Sequence, residues 1–213
     1  MEKVEYIDVK KLIGNLQSIK CRLDIDFRNE KIDWTEFSKI RDFTIIMLGI
    51  NCGLKSNEIL NLKISDLIID SNAILIKCNN EKKRTVFFGN NFKKTLIYYL
   101  EARKQFNNRS YWSNKSNYLF FSRTSPSLSK NALFNLVAKY TGTGPTALRD
   151  TFAVNFYNQT HDLKLLQKVL GHKKIENVEK YILNLPTVTD EKKGANLMDS
   201  FYNLSGIPKI EDE

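Results

Sequence analysis

Between residues 144 and 182 the sequence reads GPTALRDTFAVNFYNQTHDLKLLQKVLGHKKIENVEKYI, and three of its side chains suit chemistry at a phosphate. Arg149 can hold charged oxygens, His172 can accept or donate a proton, and the phenol of Tyr181 can serve as a nucleophile. The stretch divides into three short helical segments, each with a sharp stop, so the three side chains can meet at one point. Singly, each has an ordinary explanation: a solvated arginine, a histidine beside a helix end, one of nine tyrosines packed into a core. Their order and spacing give them weight together.

The elements that would position them are legible in the apolar pattern. Val9, Leu12, Ile13, Leu16 and Ile19 have helical spacing across residues 6–19. Phe37, Ile40, Phe43, Ile46, Met47 and Ile50 predict a more buried helix over 34–52, which Gly53 would stop. Ser56 is placed to cap the next helix, to about Lys63, with Glu58 in its first turn. The period then becomes extended, and residues 67–69, 73–77 and 84–88 predict three short antiparallel strands. Asp70-Ser71-Asn72 would make the first turn and the polar loop 79–83 the second. Helices follow over 91–106 and 129–140, with an aromatic, buried segment at 118–121, then the three helices of the opening stretch. A last amphipathic helix is expected over 189–204. The fold class is α+β, mainly helical, with a small three-stranded antiparallel sheet.

The chain has 213 residues, enough for one good core. Its net charge of +9 favours a polyanionic partner, nucleic acid before an anionic membrane surface. The longest mainly apolar run, 43–50, is too short to span a bilayer, and no signal-peptide pattern opens the chain. Three cysteines without a CxxC pair suit a reducing cytosol, and a cytoplasmic protein is expected. With two histidines, a histidine-rich metal site is not expected. TGTGPTA at 141–147 matches a dinucleotide-binding glycine pattern, but a basic helix rather than a strand precedes it and Pro145 interrupts it. The loop NNEKKR at 79–84 reads either as a solvated hairpin tip or as a hairpin reaching a phosphate backbone.

From about Ile7 to Ile182 the chain resembles the catalytic domain of tyrosine recombinases, the phage integrase family. Residues 41–70, RDFTIIMLGINCGLKSNEILNLKISDLIID, are similar to the family's first box, residues 144–153 to its second, and residues 170–181 to its third. The resemblance implies a cofactor-free attack of Tyr181 on a DNA phosphate, giving a covalent phosphotyrosine link. Arg149 would be the second arginine and His172 the late histidine. Lys77 or Lys82 would be the hairpin lysine that protonates the leaving oxygen. Lys82, Lys83, Arg84, Lys173 and Lys174 would grip double-stranded DNA.

The departures from the family pattern are specific. Lys55 stands where the first arginine is expected, with its acidic neighbour Glu58 still present. Lysine keeps the charge and loses the planar fork that grips two oxygens. Thr146 replaces the second-box histidine and cannot shuttle a proton near neutral pH, and Asp150 replaces the histidine after the second arginine. The resemblance begins so near the start that the family's N-terminal core-binding domain is not expected here. Residues 1–186 are expected to form the catalytic and DNA-binding domain, and 187–213 a tail docking on a neighbouring protomer. The expected function is a homo-oligomeric, site-specific DNA-binding regulator of a mobile element or prophage with impaired or lost cleavage. The alternative is an active recombinase using Tyr181.

Overall fold

The computed structural model describes residues 30–77, 83–107 and 116–183, together with Val4, Ile7, Leu12, Asn15 and Ile25. Leu12 and Asn15 are helical, as the first expected helix requires; the rest of that helix, the loop at 79–82 and the expected helix over 189–204 lie outside the described residues.

The central element is α1 (Trp34–Cys52). Its N-terminus is capped by Asp33, whose carboxylate accepts the Glu36 N–H at 2.8 Å. Gly53 ends it in the left-handed region at φ 59°, donating its N–H to Gly49 O at 3.0 Å. Nearly every turn of α1 is buried, which is why its apolar residues wrap the helix instead of forming one stripe. It packs between α3 (Asn90–Asn107), α4 (Lys130–Thr141) and α5 (Pro145–Thr160). Two glycines permit the close crossing with α5. A Cβ on Gly49 would stand 2.7 Å from Leu148 Cδ1, and one on Gly53 would stand 2.3 Å from Phe152 Cδ1. The α1–α5 contact therefore carries the C-terminal end of α1 directly to the face of α5 that bears the site residues.

After α1 comes α2 (Ser56–Asn61), then a 3₁₀ turn and the sheet: β1 (Leu67–Ile68), β2 (Ala73–Lys77) and β3 (Lys83–Phe87). The order is β1-β2-β3, antiparallel, with Ala73 opposite Phe87 and Lys77 opposite Lys83. Asn72 takes φ 50° in the first turn, a conformation asparagine tolerates well. Both ends of α2 differ from expectation. Lys55, not Ser56, is the N-cap of α2, because Glu58 accepts the Lys55 backbone N–H at 2.8 Å and starts the helix one residue earlier. The helix ends at Asn61, short of Lys63: Leu62 turns extended and its carbonyl accepts the Leu119 N–H at 2.7 Å. That bond, and the pairing of Lys63 with Tyr118, stitch the 118–121 segment, buried from Leu119 onward, to the end of α2.

A second apolar cluster lies under α6 (Leu163–Leu170) and α7 (Glu176–Leu183), built from Phe152, Val154, Leu166, Leu170, Val178 and Tyr181. It fixes α6 and α7 against α5, the elements that carry or adjoin the three opening side chains. Among the described residues no helix is long and apolar enough to cross a membrane.

Candidate active site

Pro145 sits at the first position of α5, where its fixed φ suits the helix and its missing N–H costs nothing. Thr146, Arg149 and Asp150 then follow at i, i+3 and i+4, on one face. Arg149 is buried, and its Nη1 donates to Gly53 O at 2.5 Å. Its Nη2 donates to Leu170 O at 2.8 Å and approaches His172 Nε2 at 3.1 Å. One guanidinium thus ties together the C-terminal ends of α1 and α6, where the helix dipoles favour a cation. Burial lowers the pKa of Arg149, with Glu58 and Tyr181 opposing the fall.

His172 is placed by the end of α6. Gly171 adopts φ 69° and donates to Lys168 O, while the His172 N–H returns to Gln167 O at 3.1 Å. Because a guanidinium can only donate, Nε2 of His172 is the acceptor and its proton resides on Nδ1. Burial pushes the imidazole pKa down to about 4, helped by Arg149, Lys55, Lys180 and Arg84, so the ring is neutral near pH 7.

Tyr181 on α7 is 1% exposed, and its Oη donates to Asp150 Oδ1 at 2.9 Å. Burial first and the Asp150 carboxylate second raise the phenol pKa; the nearby Arg149 acts in the opposite sense. The Lys180 ammonium lies 5.1 Å from the Tyr181 ring centroid.

These groups open on one cleft of about 480 Å³, lined by Lys55, Lys130, Thr146, Arg149, Asp150, His172, Lys180 and Tyr181, among others. The structure therefore brings together five of the residues singled out in the sequence: Tyr181, Arg149, His172, Lys55 and Thr146. It does not bring Lys77 there. The Lys77 ammonium is held at 2.6 Å by Asp66, whose other oxygen accepts the Lys63 N–H. Lys82 lies outside the described residues. Lys83, Lys173 and Lys174 are exposed.

Arg84 differs from the surface grip expected of it. Its side chain is 12% exposed, and Nη2 donates to Glu58 Oε2 at 2.8 Å. A Cβ on Gly171 would come within 2.7 Å of its Nε, so the arginine is wedged between α2 and the α6–α7 turn. Glu58 thus holds both the Lys55 backbone and Arg84, linking the cleft edge to the sheet. Sequence reasoning missed Lys130 and Lys180 as lining groups. Adjacency to Tyr181 is a usable signal for Lys180; none exists for Lys130, which enters through the start of α4. What the cleft offers chemically is an acceptor-facing phenol, a fixed guanidinium, a neutral imidazole and three lysines around a space suited to an anion.

The model of the phage integrase family matches residues 25–186, well over half of the chain. Tyrosine recombinase XerC of Thermodesulfovibrio yellowstonii is 27% identical over 177 residues, 80% of this chain and 57% of that protein. Tyrosine recombinase XerH of Helicobacter pylori is 28% identical over 186 residues, 78% of this chain and 50% of that protein. The chain thus spans about half the length of the curated relatives it matches. Among solved structures, XerA recombinase aligns with TM-score 0.65 at 20% identity, covering 95% of this chain and 65% of that one. XerH bound to its difH substrate in a pre-cleavage complex aligns with TM-score 0.67 at 22% identity, covering 85% and 51%. The fold is that of a tyrosine recombinase catalytic domain, and the chain belongs to the phage integrase family.

Proposed function

We propose that this chain is a site-specific binder of double-stranded DNA that keeps the recombinase cleft at reduced cleaving power. It acts as a homo-oligomer on DNA, in the cytoplasm, as a regulator of a mobile element or prophage. The single observation that carries this reading is the composition of the cleft. Arg149, His172 and Tyr181 converge there, but Lys55 and Thr146 occupy two of the donor positions and Asp150 holds the nucleophile's hydroxyl. A scissile phosphate seated in the cleft would meet one guanidinium where the family pattern has two. Loss of a fixed donor costs on the order of a hundred- to a thousand-fold in rate. Binding suffers less, because the exposed lysines and the net charge of +9 supply phosphate contacts that do not depend on the transition state.

A second reading, a fully working recombinase with Lys55 as substitute clamp, is favoured by one observation: Glu58 still fixes the backbone of Lys55 at the cleft edge. Recovery of the bound genomic sites, followed by cleavage of a nicked suicide duplex carrying them, separates the two. Salt-sensitive binding with slow adduct formation supports the first reading; a rapid Tyr181–DNA adduct supports the second. Absence of DNA binding at low salt contradicts both.

A further inference from the structure

We infer that Asp150 is a catalytic residue of the cleavage step, its carboxylate taking the Tyr181 proton as the phenol attacks phosphorus. The inference rests on the proposal that the cleft retains slow cleavage. Its structural ground is direct. Tyr181 Oη donates to Asp150 Oδ1 at 2.9 Å, and the two residues are 1% and 4% exposed. Because the phenol is the donor to Asp150, its proton already points at an acceptor, and of its two oxygen lone pairs one faces the Arg149 guanidinium and the other remains for phosphorus.

The need for an acceptor follows from the surroundings. Burial and the neighbouring carboxylate hold the phenol protonated, so phenolate is scarce near neutral pH. The proton must then leave during the attack, when bonding to phosphorus makes it acidic, and a base within hydrogen-bond reach is the efficient receiver. Other groups at the cleft fail this requirement. The Nε2 of His172 is occupied by Arg149 at 3.1 Å. Thr146 is not basic near neutral pH, and the lysines and Arg149 are donors only. Among the described residues lining the cleft, Asp150 is the one carboxylate. The residue that looks like a loss against the family pattern therefore supplies the proton acceptor that Thr146 cannot.

The step balances as follows. The Tyr181 Oη–phosphorus bond forms and the bond from phosphorus to the leaving sugar oxygen breaks. The phenol proton passes to Asp150 Oδ1, and the leaving oxygen takes a proton from a lysine ammonium at the cleft or from water. The diester charge is conserved in the phosphotyrosine linkage, with Arg149 beside it.

The test is single-turnover cleavage of a nicked suicide duplex across about pH 6 to 9 by wild type, Asp150→Asn and Asp150→Glu. Thermal unfolding and DNA affinity are measured on the same samples. Asp150→Asn is expected to keep fold and affinity and lose about a hundredfold or more in rate. Its residual rate should climb about tenfold per pH unit, because hydroxide must replace the carboxylate, while wild type stays nearly flat. A merely structural defect would lower the rate without changing that slope. Asp150→Glu should recover part of the rate with the flat profile, and decides the matter if the asparagine variant does not fold: a steep profile for it overturns the inference. Wild-type cleavage matched or exceeded by Asp150→Asn overturns the Asp150 role and leaves the parent reading intact. Wild type that binds DNA and forms no adduct at any pH removes slow cleavage, and this inference with it.

Discussion

Arg149 Nη2 meets His172 Nε2 at 3.1 Å, and this contact settles which imidazole nitrogen carries the proton. A guanidinium on Nε2 leaves Nδ1–H as the ring's donor and opposes any second proton. The imidazole pKa falls to about 4, chiefly through burial and then through Arg149. Being lower folded than unfolded, it makes protonation work against the fold. Stability linked to His172 is complete above about pH 6.5 and is lost as pH falls from there toward about 4. His172→Gln should flatten this stretch of a stability-versus-pH curve measured by urea unfolding. The effect will be moderate, because the ring is half-buried and solvent screens it.

Lys55 lies at the cleft edge with its backbone fixed by Glu58, so a longer planar head can be introduced without rebuilding the helix start. Lys55→Arg should raise cleavage of the suicide duplex by about ten- to a thousand-fold while changing DNA affinity little. Single-turnover rates beside equilibrium binding read this. An unchanged rate would show that the weakness of the site lies elsewhere.

Two of the left-handed glycines, Gly53 and Gly142, separate backbone strain from crowding. At Gly142, φ is 75° and a Cβ would meet nothing within 4 Å; at Gly53, φ is 59° and a Cβ would stand 2.3 Å from Phe152. Gly142→Ala should cost about 1–2 kcal/mol for the left-handed conformation alone. Gly53→Ala should cost about 2–4 kcal/mol, since the α1–α5 contact must also yield. It should further disturb Arg149, which donates to the Gly53 carbonyl. Denaturant midpoints for the pair test the ordering.

Lys173 and Lys174 are exposed immediately after His172, which lines the cleft. Replacing both with Ala should weaken DNA binding and reduce the slope of log affinity against log salt by about 1–2, as two phosphate contacts are lost. Equal slopes for variant and wild type would remove these lysines from the interface.

The fold was legible where local signals agree with tertiary packing. The 34–52 helix has an apolar run and a glycine stop, and both survive as α1 and its cap. The three strands also fall within a residue of where periodicity and turn residues place them, and the 144–182 stretch holds three helices as its pattern implies. What sequence could not show depends on pairings between distant segments. Ser56 looks like a cap by type, yet Glu58 reaches back to Lys55 and wins by geometry. Lys77 looks available by register, yet Asp66 captures it. Arg84 looks solvated in a basic loop, yet Glu58 and the absent side chain of Gly171 draw it inward. Asp150 reads as a bare negative charge until α7 packs against α5 and lays the Tyr181 hydroxyl on it.

The most direct test of the central claim is the rate of covalent adduct formation at Tyr181 on a nicked suicide duplex carrying the recovered binding site. Wild type should bind this duplex in a salt-sensitive manner and form the adduct slowly, at least about tenfold slower than Lys55→Arg. Tyr181→Phe should bind as well and form none. A wild-type adduct appearing as fast as that of Lys55→Arg, and persisting in Tyr181→Phe, would contradict both the reduced cleaving power and the identity of the nucleophile.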